Sequence, residues 1–195
     1  MFTGIIESKA LIALTAKAKA CLRVRIEKPK GWKLKPGASV AVDGICSTVK
    51  KLGANYFEVE YMPETLKKTT AAAFKKNREV NLEKPLSLNG LLDGHLVQGH
   101  IDGRGKVSSL KTYGNSKVIE VKLPRELVKF VAKKGAVAVN GVSLTVAKKN
   151  ADRFTVALIP YTLAKTNLGE LKPGDEVNIE VDMLARYLAA LINKA

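Results

Sequence analysis

The chain has 195 residues, enough for one large domain or two small ones. Hydrophobic residues make up 46% of it, sufficient for packed cores, but no run approaches the ~18 apolar residues of a membrane-spanning helix. The formal charge is +15, the scattered lysine pairs fall mostly near turns, and aromatics are only 6%; this predicts a solvated lysine-rich surface, with no nucleic-acid partner and no membrane. Cys21 and Cys46 are the two cysteines; they make no disulfide framework and stand in no metal-ligand spacing, so a cytoplasmic location is expected.

In chain order, the apolar "ALIAL" at 10–14 follows Glu7 and Lys9 with no basic opening, so no signal peptide is expected. "LKPGASV" at 34–40 reads as a Pro-Gly turn entering a strand. "SVAVDGICSTV" at 39–49 alternates around Asp43-Gly44, a pair suited to a tight hairpin turn. "NYFEVEYM" at 55–62 has period two. "VNLE" at 80–83 closes this series, and "LLDGHLVQGH" at 91–100 marks a seam. Beyond it the signals return: "VAVNGVSLTV" at 137–146, "DRFTVALI" at 152–159, "LIPYTLAKTN" at 158–167, "LKPGDEV" at 171–177 and "VNIE" at 177–180.

A single shift of 97 residues brings three blocks into register without a gap. Val40, Ala41, Val42, Gly44, Thr48 and Val49 recur, then Pro63, Thr65, Leu66, Lys68 and Thr69, then Val80, Asn81 and Glu83. The chain is therefore read as two tandem copies of one all-β unit. Short strands without intervening helices predict a small closed barrel or a sandwich. The tail differs: Leu184, Tyr187, Leu188, Leu191 and Ile192 form one apolar helical stripe. That helix could cover its own barrel or pair with tails of other subunits.

Cys46 and Ser143 are equivalent, just past their hairpin turns, and Thr48 and Thr145 follow on the same strand face. Thr65 and Thr162 also recur. Polar groups repeated on one barrel face suggest a binding pocket; small buried residues and turn-capping threonines are the plainer alternatives. The two histidines, His95 and His100, lie together in "GHLVQGHID"; proton transfer near neutral pH and simple hydrogen-bonded linker roles are both open. No dinucleotide, P-loop, nucleophile-elbow or zinc-peptidase motif is present.

Taken together, "MFTGIIE", "VNLEKPL", "GHLVQGHIDG", "VNGVSLTV" and "VNIEVD" resemble, in order and spacing, the riboflavin synthase family of the two-barrel, alpha-chain type, over essentially the whole chain. The resemblance implies an all-β fold of two tandem homologous antiparallel Greek-key six-stranded barrels. They would be an N-terminal lumazine-binding barrel over 1–95 and a second over 96–183, followed by a trimerisation helix over 184–195. It implies a transferase that dismutates two molecules of 6,7-dimethyl-8-ribityllumazine by four-carbon transfer, giving riboflavin and 5-amino-6-(D-ribitylamino)uracil. No cofactor is needed. A homotrimer is implied, with sites between the N-terminal barrel of one subunit and the C-terminal barrel of another; association with lumazine synthase is a further partner the resemblance admits.

By the same resemblance, ligand would be held in copy one by Gly4, Ile5, Ile6, Cys46, Ser47, Thr48 and the stretch Glu60, Tyr61, Met62, Pro63, Glu64 and Thr65. In copy two the corresponding residues are Gly99, His100, Ile101, Lys134, Ser143, Leu144, Thr145 and the stretch Ile159, Pro160, Tyr161, Thr162, Leu163 and Ala164. His100, Cys46, Ser143 and Thr145 are the candidates for moving protons and placing a nucleophile; Ser39, Asp182 and Phe2 match further positions important in the family. Three residues depart from its pattern: Ser47 where leucine is usual, Tyr161 where His or Glu is common, and Asp93 where Gly is common. The alternative is a non-catalytic lumazine or flavin binder, such as the fluorescent lumazine proteins, whose second copies lack the polar and histidine features present here.

Overall fold

In the computed structural model, which describes residues 1–192, both hairpin turns form as the sequence predicts. Asp43 (φ 46°) and Gly44 (φ 78°) are both left-handed, as are Asn140 (φ 46°) and Gly141 (φ 78°), the signature of a type I′ turn. The first half contains β1 (Ser8–Ala18), β2 (Cys21–Glu27), β3 (Ser39–Val42), β4 (Ile45–Thr48), β5 (Lys51–Leu52), β6 (Tyr56–Tyr61), α1 (Pro63–Lys68) and β7 (Glu79–Glu83). The second contains β8 (Gly103–Tyr113), β9 (Ser116–Lys122), β10 (Ala136–Val139), β11 (Val142–Asn150), β12 (Arg153–Leu158), α2 (Pro160–Lys165), β13 (Glu176–Val181) and α3 (Met183–Ile192).

The second half is a closed six-stranded antiparallel barrel in the order β10-β11-β12-β9-β8-β13, with the β9–β10 connection making the Greek-key crossover. The first half runs β4-β3-β7-β1-β2-β6-β5. Its two end strands are consecutive in sequence and correspond to the single strand β11, so the same barrel is interrupted at Val49–Lys50. Strand β11 carries a register shift at the matching place, between Val146 and Lys148. Each barrel encloses its own core, one around Ile12, Ile26, Phe57 and Leu82, the other around Ile119, Phe154, Leu158 and Ile179.

One feature adds to the sequence reading and another differs from it. The apolar "ALIAL" run lies within strand β1, with Ala10 and Ile12 turned inward. And helices do intervene: Pro63 and Pro160 open α1 and α2, where a missing N–H costs nothing. Thr69 and Thr166 then accept hydrogen bonds from Ala71 N and Leu168 N, capping the 3-10 turns that follow. Neither Thr65 nor Thr162 caps these turns.

The halves meet about a pseudo-twofold axis. Gly44 and Gly141 face each other so closely that a Cβ on either would lie 2.7 Å from the backbone nitrogen of the other. Phe2, Ala41, Val97 and Ala138 form a small shared apolar cluster, and Phe2 and Val97 exchange backbone hydrogen bonds of 2.7 and 3.1 Å. Around them lies a buried polar ring. Asn81 Nδ2 donates to the Asn140 carbonyl and Asn178 Nδ2 to the Asp43 carbonyl, while Asn167 N and Thr70 N donate to Asn81 Oδ1 and Asn178 Oδ1.

Helix α3 has no counterpart in the first half. Asp182 Oδ1 accepts from Leu184 N at its start, and Arg186 reaches back to Asp102 Oδ2 at 3.0 Å. Its stripe of Leu184, Tyr187, Leu188, Leu191 and Ile192 remains 58–71% exposed, so it does not cover the barrel that precedes it. Residues 193–195 of the expected helix lie outside the described residues.

Candidate active site

Two buried carboxylates place the segments that lead into each barrel. Glu83, at the end of β7, accepts from Thr3 N (2.6 Å), Thr3 Oγ1 (2.8 Å) and Gly4 N (3.1 Å). Glu180, its counterpart on β13, accepts from Gln98 N (2.6 Å) and Gly99 N (2.9 Å). Burial raises both carboxyls, Glu180 to about 7, against the opposing pull of these N–H donors.

Held this way, each segment crosses to the other half. Gly4 O accepts from Ser143 N at 2.8 Å, and Gly99 O from Cys46 N at 2.8 Å. Both glycines have left-handed φ (77° and 78°), and a Cβ would lie 2.6 Å from Ser143 Cβ or 2.7 Å from Cys46 Cβ, so no larger residue fits. Ile6 packs on the second core and Ile101 on the first. This corrects the sequence-based grouping: Gly4, Ile5 and Ile6 lie with Ser143 of the second half, and Gly99, His100 and Ile101 lie with Cys46 of the first. The segments align at an offset of 95, Gly4 on Gly99, whereas the repeats align at 97.

Two like faces result. On the first, Cys46 and Thr48 project outward from β4, beside Gly99, His100 and Ile101 and the β6–α1 tip. Ser39 pairs with Thr48 across β3–β4. At the tip, Met62 is exposed with its sulfur 3.5 Å from Cys21 Sγ, Pro63 opens α1, Glu64 pairs with Lys68, and Thr65 is half-buried. Glu60 bonds Lys50 and Arg23, which lower its pKa.

Ser47 and Tyr61 instead turn into the barrel, where their hydroxyls are 2.9 Å apart, and Ser47 also donates to the Ile45 carbonyl. The usual leucine at 47 is thus exchanged together with its neighbour: the equivalents Leu144 and Leu158 belong to the second core. Any contact of Ser47 or Tyr61 with a ligand falls to their backbones.

The second face carries Ser143 and Thr145 on β11, beside Gly4, Ile5 and Ile6. Ile159, Pro160 and Tyr161 are exposed at the β12–α2 tip, Thr162 and Leu163 are half-buried, and Ala164 is exposed. Lys134 is exposed on a left-handed turn (φ 71°), its N–H bound to Val146 O.

One residue was missed as a site member. His95 Nδ1 lies 2.7 Å from Ser143 Oγ. Burial lowers its pKa, and the Asp182 carboxylate opposes this. No spacing in the sequence announces a contact across 48 residues. Asp182, expected among the site residues, stands at the start of α3, where it accepts from Leu184 N.

Both faces are open. A cavity of about 800 Å³ lies beside the first barrel, bounded by Lys33–Ser39 and the connector after Glu83; Ser39 and Ile5 line it, but Cys46, Thr48 and His100 do not. Among the described residues no cluster of three His, Cys, Asp or Glu could hold a metal ion.

Comparison with known proteins matches the Lumazine binding domain at two places, residues 3–85 and 98–182. The riboflavin synthase of Brucella abortus (strain 2308) is 42% identical over 98% of both chains. Those of Bacillus subtilis (strain 168) and Mycobacterium tuberculosis (strain CDC 1551 / Oshkosh) are 38% and 34% identical over all of this chain, covering 91% and 100% of theirs. The fold is also similar to that of LumP complexed with riboflavin, with a TM-score of 0.88 and 24% identity over 93% of this chain and 99% of that one. With two Lumazine binding domains in tandem and full-length similarity to these enzymes, the chain belongs to the riboflavin synthase family.

Proposed function

We propose that the protein is a riboflavin synthase that converts two molecules of 6,7-dimethyl-8-ribityllumazine into riboflavin and 5-amino-6-(D-ribitylamino)uracil. The observation that carries this reading is the pair of like faces with unlike groups, Cys46 with His100 on one and Ser143 with His95 on the other. The reaction joins two copies of one molecule in different roles, so it needs sockets of the same shape and different chemistry. Holding both reactants in contact can supply effective molarities of up to ~10⁵–10⁸ M.

A nucleophile, water or a hydroxyl, adds to C7 of the donor lumazine. A base takes a proton from the acidic C7 methyl of the acceptor, and the resulting carbanion attacks the donor. Electrons are redistributed within the pair, so no external oxidant or reductant enters. His100, Cys46, Ser143 and Thr145 are the groups that move these protons.

The two faces of one chain carry exposed residues, and α3 presents an exposed apolar stripe. These features support a homotrimer joined through α3, in which the first face of one subunit closes on the second face of another. Cys21 and Cys46 are free, and no described helix is long and apolar enough to cross a membrane; these features fit the cytoplasm as the working compartment.

Incubating the purified protein with 6,7-dimethyl-8-ribityllumazine alone tests the proposal. Riboflavin should appear with one pyrimidinedione per riboflavin and no added cofactor. Binding of the lumazine without riboflavin formation would instead establish a carrier.

A further inference from the structure

The second face contains an arrangement that its counterpart lacks. His95 sits on the connector between the barrels, and Ser143 on β11. The connector is fixed at this point: His95 N donates to Thr3 O at 3.1 Å, and the next residues form the Phe2–Val97 bridge. Gly94 permits the approach, since a Cβ there would overlap the Thr3 carbonyl and lie 2.9 Å from Ser143 Cβ. Nδ1 is thereby held 2.7 Å from Ser143 Oγ, and Nε2 is buried with no partner among the described residues. On the first face the equivalent thiol, Cys46, is free and exposed.

We infer that His95 is a positioning residue for the second face, holding the Ser143 hydroxyl through the Nδ1–Oγ hydrogen bond and aiming Oγ at the bound ligand. Burial lowers the pKa of the ring and so favours its neutral form, and the Asp182 carboxylate acts in the opposite sense. A neutral ring holds Ser143 through Nδ1 in either tautomer, accepting from the hydroxyl or donating to its oxygen. In both cases Oγ keeps at least one lone pair with which to accept a hydrogen bond or a proton from the ligand. The contact makes the two sockets unequal in hydrogen bonding as well as in element. The kinetic consequence rests on the proposed reaction; the contact itself does not.

Two measurements separate these. The chain has only two histidines, so ring nitrogen-15 NMR of the ligand-free protein has His100 as an internal control. Ser143→Ala should shift the ring signals and titration of His95 and leave His100 in place; unchanged His95 signals would overturn the contact. In turnover, His95→Ala should lower kcat about 10–100-fold with little change in KM. His95→Asn, whose amide can replace Nδ1, should stay within about threefold of wild type and lose the acid limb of the pH profile. The His95→Ala/Ser143→Ala double variant should be no slower than Ser143→Ala. Wild-type kcat in His95→Ala, or multiplicative losses in the double variant, would overturn the positioning role. Absence of turnover in the wild type would sink the reaction and leave the NMR result standing.

Discussion

In the first half the strand after the Asp43-Gly44 turn breaks at Val49–Lys50; in the second it runs unbroken from Val142 to Asn150. The first core holds the hydrogen-bonded Ser47–Tyr61 pair where the second holds Leu144 and Leu158. Asp43 faces Asn140 across the axis as its equivalent, and Cys46 answers to Ser143. What does not change is the main chain and the buried carboxylates that bind it: the Glu83 and Glu180 clamps, the Gly44–Gly141 contact and the crossing of Gly4 and Gly99. Backbone groups and the buried Glu and Asn side chains that bind them therefore carry the twofold scaffold, and other side chains are free to diverge where each face meets its ligand.

The largest expected effect lies on the axis. Gly44→Ala puts a Cβ 2.7 Å from Gly141 N at a left-handed φ, and should cost about 2–4 kcal/mol, read as a fall in Tm. Gly141→Ala should cost a similar amount, because the contact is reciprocal; a large effect from only one would break the symmetry. Next comes the core pair. Ser47→Leu alone strands the Tyr61 hydroxyl and overfills the barrel, costing about 2–3 kcal/mol. Ser47→Leu/Tyr61→Leu, which imports the pair from the second half, should recover most of that loss in a double-mutant cycle. Additive losses would mean that the two positions are not one unit.

The smallest effect concerns pH. Burial pushes Asp43 up to about 6, despite the Asn81 N–H, Arg78 and the Asn167 amide, and Glu180 up to about 7. Between the ordinary carboxylate range and these values the unfolded chain is ionised while the folded chain holds the protons. Stability therefore falls as pH rises through that window. Asp43→Asn, which copies Asn140, should flatten the fall between about pH 4 and 6; an unchanged slope in thermal melts would show that Asp43 does not contribute.

Much of this was legible in the sequence. The type I′ turns were written in Asp-Gly and Asn-Gly, the repeat in one offset, and the tail helix in its stripe. The crossed segments were not, because they repeat at 95 rather than 97, so a single shift set Gly4 against Ile101. His95 and Ser143 meet only through the fold, and the Ser47 departure became intelligible only when Tyr61 was found against it. The "ALIAL" run hid β1 because its inward and outward residues are both apolar.

The account stands on two unequal sockets in one chain for the same ring system. Calorimetric titration with riboflavin, which cannot be consumed in the forward reaction, measures this directly. Two binding events per chain with different affinities are predicted, and Ser143→Ala should alter only one of them. A single event per chain, or two that are identical and shift together, would contradict it.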